Sequence, residues 1–259
     1  MKFSNQFICT ILICCVLVLI SGCRKSSSHG RTRTSSRSES SYKESRARSG
    51  RGSRTSIKDR EPEKEIRTES PNKKILSGSD IFKKYNNAVF MVYTTDGSNS
   101  YQGSGFFIGR HGLAVSNYHV FEGTHIGGES IKLSGNNTGY YKVSEVIYKD
   151  KDYDFIIFRV NYDNGNYIPI ANKKPEIGDK VYAIGSPRGL ENTFSSGEVS
   201  QWRADYLMQI NALIDHGSSG GALINEYGEV VGITSGSFCD GSQANLNYAW
   251  SINVIKGHY

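Results

Sequence analysis

After residue 75 the apolar residues fall into many short alternating runs, each closed by Gly, Asn or Asp, with little helical periodicity. Alternation puts the apolar side chains of a strand on one face, and those turn residues let the chain reverse between strands. The segment is therefore all-β, and it is long enough to bury a sizeable core. One pairing is legible directly. Gln102-Gly103-Ser104-Gly105-Phe106-Phe107-Ile108 and the run beginning Leu113-Ala114-Val115 flank Gly109-Arg110-His111-Gly112, which reads as a β-hairpin with its turn.

The first 74 residues have a different character. Phe7 to Ile20 is almost wholly apolar, behind Lys2, at the length of a signal h-region and short of the roughly 20 residues of a spanning helix. The run ends in Ile20-Ser21-Gly22-Cys23, which resembles the lipobox of bacterial lipoproteins. That resemblance implies a signal peptide over 1–22, cleavage, and attachment of lipid (palmitate included) to Cys23. The alternative is an ordinary signal peptide with an incidental cysteine. Residues 23–74 are rich in Ser and Arg; from 24 to 74 they hold 16 Lys and Arg against 7 Asp and Glu, a net of +9. Residues 75–259 hold 14 against 18, a net of −4, so the basic balance belongs to the linker. Such a composition has too little apolar surface to offset chain entropy, which predicts a disordered tether drawn to anionic envelope surfaces. Nucleic acid is not expected as a partner of an exported protein. Cys9, Cys14 and Cys15 fall in the signal and Cys23 takes lipid, leaving Cys239 without an internal disulfide partner.

Chemistry concentrates at Asp215-His216-Gly217-Ser218-Ser219-Gly220-Gly221. Glycines allow a sharp turn that brings backbone N–H groups close to a reacting carbonyl, and a serine held there can act as nucleophile if a base activates it. Ser219 is the candidate nucleophile, though glycine-flanked serines are also common in ordinary turns. His119, at the end of an apolar run, is the candidate base, and Asp154, at the mouth of Phe155-Ile156-Ile157-Phe158, is the candidate partner that orients it. His29, His111, His125, His216 and His258 lack such a context and read as structural. Asp150-x-Asp152-x-Asp154 invites a calcium reading, but Phe155 and Asn161 stand where a calcium loop needs Gly and Glu. Asp150 and Asp152 are therefore taken as loop acids, and neither metal nor cofactor is expected.

The order His119, Asp154, Ser219 and the surrounding blocks resemble the trypsin-like serine proteases, nearest their HtrA/Deg-type bacterial branch. The blocks are Ser116-Asn117-Tyr118-His119-Val120, Asp154-Phe155-Ile156-Ile157, Ala183-Ile184-Gly185-Ser186-Pro187-Arg188-Gly189-Leu190, Ser196-Gly197-Glu198-Val199-Ser200 and Ile210 to Asn225. The resemblance spans residues 85–255 and implies two six-stranded antiparallel β-barrels in a protease domain over 75–259. No PDZ domain is expected, since the chain reaches Tyr259 soon after the last expected strand. Asn211, Asp215, His216 and Ser218 depart from the branch's usual residues.

The resemblance also implies roles. Gly217, Ser218 and Ser219 would supply the oxyanion hole. Thr234-Ser235-Gly236-Ser237 would pair with an extended substrate. Leu213, six residues before the nucleophile, would form the base of the specificity pocket. An apolar residue there disfavours cleavage after Lys or Arg and favours small or medium apolar residues. The resulting expectation is a lipid-anchored endopeptidase of the bacterial cell envelope that acts on extended or misfolded polypeptides. A catalytically silent peptide-binding module and an esterase are the alternatives.

Overall fold

The structure, a computed structural model, describes residues 73–124, 127–134, 139–237 and 246–259. The signal segment, Cys23, the basic linker up to Asn72, His29, His125 and Cys239 lie outside the described residues.

The chain enters through an eight-residue helix, α1 (Gly78–Tyr85), which the alternating pattern did not announce. Its start is a local matter: the Ser77 hydroxyl accepts from the Asp80 N–H at 3.1 Å and caps the first turn. Asp80 in the first turn and Lys83 and Lys84 in the last complement the helix dipole. Ile81 and Tyr85, four residues apart, form the buried face.

Six strands follow: β1 (Val89–Thr95), β2 (Ser100–Phe107), β3 (Leu113–Ser116), β4 (Ser130–Leu133), β5 (Tyr140–Asp150) and β6 (Phe155–Val160). They close a barrel in the order β1-β2-β3-β6-β5-β4. Six more repeat the plan: β7 (Lys180–Gly185), β8 (Thr193–Trp202), β9 (Leu207–Ile210), β10 (Ala222–Asn225), β11 (Val230–Ser237) and β12 (Asn247–Ser251). Their closed order, β10-β11-β12-β9-β8-β7, is the same arrangement. Every pairing between these strands is antiparallel. The hairpin read from sequence is present, with Phe106 opposite Val115 and Phe107 opposite Ala114.

Alternation divides the apolar side chains among three cores. Phe90, Phe107, Ala114, Ile131, Ile156 and Phe158 fill the first barrel. Val181, Val199, Met208, Ile210, Leu223 and Val231 fill the second. The third core lies in the seam: Phe106, Val115, Phe155 and Ile157 of the first barrel meet Ile184, Ala222, Ile233 and Ile252 of the second, with Ile81 and Tyr85 of α1 packed alongside. Neighbouring residues of one strand, such as Ile156 and Ile157, thus face different cores.

Phe90 has no exposed surface and packs against Phe107 at 4.7 Å between ring centroids. Phe90→Ala should lower unfolding free energy by about 3–5 kcal/mol, the cost of truncating a packed phenylalanine. Urea unfolding followed by tryptophan fluorescence would measure it.

Candidate active site

His119 sits in a 3₁₀ turn, Tyr118–Val120, that leaves the end of β3. Asp154 lies just before β6, which pairs with β3, so the two residues meet at one end of the first barrel. The carboxylate grips the histidine twice. Asp154 Oδ1 accepts from the His119 backbone N–H at 2.9 Å, and Oδ2 lies 2.8 Å from Nδ1. This fixes the ring and directs Nε2 away from the carboxylate, as a base requires. Asp154 adopts a left-handed backbone, φ 49°, a conformation uncommon for a residue with a Cβ. The Asn117 side-chain amide holds that turn by donating to the Asp154 carbonyl at 2.8 Å. Asp150 shapes the approach, accepting from the backbone N–H groups of Asp152 and Tyr153, both at 2.9 Å.

The second barrel contributes Ser219 and Ser235. Ser235 is a bulge residue: Thr234 pairs with Ala249 and Gly236 with Tyr248, leaving the residue between them out of register. A bulge re-aims a side chain. Here the Ser235 hydroxyl donates to Asp154 Oδ2 at 3.1 Å, while its carbonyl accepts from the Ser219 hydroxyl at 2.7 Å. Ser219, Asp154 and His119 are thereby gathered around one residue. The Ser219 hydroxyl thus donates to the Ser235 carbonyl, on the same residue whose hydroxyl reaches Asp154.

The turn carrying Ser219 needs its glycines. Gly217 has φ 92° and Gly220 φ 87°. A Cβ at Gly217 would lie 2.6 Å from Gln102 Oε1, and one at Gly220 would lie 2.2 Å from the Ser104 carbonyl. Among the described residues, the N–H groups around the nucleophile divide into two sets. Ser218 donates to the Asp215 carbonyl at 2.9 Å, Gly220 to Thr234 at 2.7 Å and Gly221 to Ser218 at 2.9 Å. Gly217 and Ser219 have no acceptor among the described residues, so both N–H groups are available to a ligand. Ser218 was expected to share in the oxyanion hole; its N–H is already engaged and cannot.

Other expected residues fall as follows. Leu213 is 65% exposed and does not form an enclosed pocket floor. Thr234 has its backbone engaged with Gly220 and Gly221, so the free edge of β11 begins at Ser235. His216 is exposed and its N–H donates to Asp215, His111 lies beside Asp163, and His258 stacks on Tyr148 at 3.9 Å. Sequence reading missed the bridging roles of Ser235 and Asn117. Asn117 stood within the histidine block, but nothing local shows that its amide reaches residue 154.

A model of the trypsin-like peptidase domain matches residues 103–233. The chain belongs to the trypsin-like peptidase family. A probable periplasmic serine endoprotease, DegP-like, from Halomonas elongata is 34% identical over 161 residues, covering 59% of this chain and 33% of that protein. A namesake from Rhizobium meliloti is 32% identical, covering 60% and 32%. This trypsin-like chain thus spans about a third of those relatives' length. The serine endoprotease of Yersinia pestis superposes with a TM-score of 0.59 at 29% identity, covering 69% of this chain and 63% of that one. A protease from M. tuberculosis in its active form shares the fold, with a TM-score of 0.60 at 19% identity over 69% and 82% of the two chains.

Burial disfavours a charged imidazole at His119, but the adjacent Asp154 charge, its hydrogen bond and the Glu122 charge outweigh that cost and raise the pKa above 6.5. A raised value favours the protonated ring in the folded state. Its stabilising contribution is full at low pH and fades as pH rises through the raised pKa. The base form behaves in the opposite sense, so kcat/KM should rise with pH along a limb centred above 6.5. Asp154→Asn should move that limb down and reduce kcat by about 10⁴-fold through the wrong tautomer. A pH–rate profile of both proteins checks the shift and the loss together.

Proposed function

We propose that this chain is a serine endopeptidase of the cell envelope that cleaves extended or misfolded polypeptides through an acyl-enzyme intermediate. The observation that carries the reading is the pair of free N–H groups at Gly217 and Ser219, set beside a serine that Ser235 links to the Asp154–His119 couple. In the proposed cycle Ser219 Oγ attacks the scissile carbonyl while His119 Nε2 takes its proton. The oxyanion rests on the two N–H groups, a contribution worth roughly 3–4 kcal/mol per donor. His119 then protonates the leaving amine, and water repeats the sequence on the ester. Asp154 stabilises the imidazolium throughout without taking its proton.

The free edge of β11 supports a polypeptide substrate. Pairing with β10 stops at Ile233. Beyond Thr234, β11 is paired only with β12 among the described residues. An extended peptide can add a strand to such an edge, and only an unfolded or flexible segment is extended enough to do so. The periplasmic DegP-like relatives support export, and the apolar run ending at Cys23 supports attachment through lipid at that residue. The basic linker would then lie against an anionic envelope surface.

A serine-directed fluorophosphonate should label the detergent-solubilised full-length protein. Ser219→Ala should abolish labelling and casein cleavage with unfolding unchanged. Cleavage of casein without Ser219 would overturn the assignment, and labelling without any cleavage would favour a binding module. Cys23→Ala should move the protein from the membrane to the soluble fraction, as read by partition in Triton X-114.

A further inference from the structure

The oxyanion turn is held by its carbonyls. The His216 carbonyl accepts from the Arg188 N–H at 2.7 Å. The Ser218 carbonyl accepts from Thr234 Oγ1 at 2.7 Å and from the Gly221 N–H at 2.9 Å. The remaining two, at Gly217 and Ser219, are both held by Ser104: its hydroxyl donates to the Gly217 carbonyl at 2.7 Å, and its backbone N–H donates to the Ser219 carbonyl at 2.8 Å. Arg188, Thr234 and Gly221 follow the first barrel in the chain. Ser104 lies on β2, so among the described residues it is the one contribution of the first barrel to this set.

Ser104 has no exposed surface. Its hydroxyl also accepts from the Ser186 N–H at 2.9 Å, and its carbonyl accepts from the Ser116 hydroxyl at 2.7 Å, so the first bond fixes the side chain and the second the backbone. The residue it holds is the one that most needs holding. Gly217 lacks a Cβ, and its φ of 92° is one of several wells open to glycine. Rotation about Gly217 would turn one donor N–H away from the other. The Gly217 carbonyl belongs to the peptide lying between the two donor peptides, and fixing it fixes ψ of Gly217. The peptide before it is fixed separately by the Arg188 N–H.

We infer that Ser104 is a positioning residue for the oxyanion site: its buried hydroxyl, reaching across the seam from the first barrel, sets the Gly217 peptide so that the Gly217 and Ser219 N–H groups converge. It touches neither substrate nor the reacting atoms. Its effect belongs to the transition state, because only there does charge develop on the oxygen that the two groups receive. The inference rests on the proposed roles of Gly217 and Ser219.

The test uses full-length protein, with active sites counted by fluorophosphonate titration. For Ser104→Ala, kcat on a peptide substrate should fall about ten- to a hundredfold, less than the loss of a donor itself, with KM within about twofold. Affinity for a peptidyl boronate, whose tetrahedral adduct places an oxygen in the same hole, should fall by the same factor. The midpoint of the pH–rate limb should stay put, since the His119–Asp154 couple is untouched. Ser104→Cys keeps a similar side chain with a weaker donor and should lose less; it carries the test if the alanine variant does not fold. A kcat within about twofold of the parent, or a loss expressed in KM rather than in boronate affinity, overturns the inference. Hydrolysis persisting in Ser219→Ala would instead remove the site reading on which it rests.

Discussion

The seam between the two barrels is the constraint on which everything else rests. Neither barrel holds a complete site: His119 and Asp154 come from the first, Ser219, Ser235 and Gly217 from the second. Catalytic geometry tolerates errors of only about half an ångström. What keeps the halves in register is a dry core in which Phe106, Val115, Phe155 and Ile157 face Ile184, Ala222, Ile233 and Ile252. Close-packed interiors resist small displacements, so burial in the seam becomes precision at its rim. The coupling is short in sequence terms. Asp154 directly precedes Phe155, which is fully buried in the seam, and Ser235 lies two residues after Ile233, also fully buried there.

Hydrogen bonds then convert this docking into chemistry. Ser235, displaced by a bulge, offers its carbonyl to the Ser219 hydroxyl and its own hydroxyl to the Asp154 carboxylate. Ser104 offers its hydroxyl to one side of the oxyanion turn and its N–H to the other. The hydroxyls of these two buried serines are both hydrogen-bonded, the condition under which a polar network orders a core instead of weakening it. A further pair secures the outer face of the turn: Arg188, itself in a left-handed conformation with φ 52°, sends its backbone N–H to His216 and its Nε to Asp215 at 2.7 Å. Both side chains are exposed, so the ion pair adds little stability, and its value lies in direction. Asp215 and His216 are two of the positions that differ from the usual residues of the HtrA/Deg-type branch the sequence resembles, and they meet Arg188 at this contact.

Much of the architecture was legible because strand formation leaves a period-two imprint. The hairpin at 102–116 could be read from apolar alternation around a glycine turn, and the structure pairs those residues as expected. Helix α1 escaped because two buried residues four apart are too few to register as periodicity; its decisive feature is one hydroxyl at Ser77. In the candidate site, glycines around Ser219 were visible as residue types. Which N–H groups they free was not, since that depends on acceptors at Asp215 and Thr234. Ser218 illustrates the difference: the family resemblance implied a donor there, and a local turn to Asp215 uses its N–H instead.

Composition and patterning by themselves determined that this chain is a β protein behind a basic, low-complexity leader, and motif order pointed to Ser219, His119 and Asp154 as the residues to examine. Those are properties of neighbours along the chain, where periodicity and turn chemistry act. The tertiary structure alone decided that Asp154 grips both the ring and the backbone of His119, that Ser235 joins the two half-sites, and that Ser104 reaches Gly217 from the opposite barrel. Those contacts join residues 35, 81 and 113 positions apart. Their partners are set by which strand ends a packed seam brings together, and no local pattern encodes that distance.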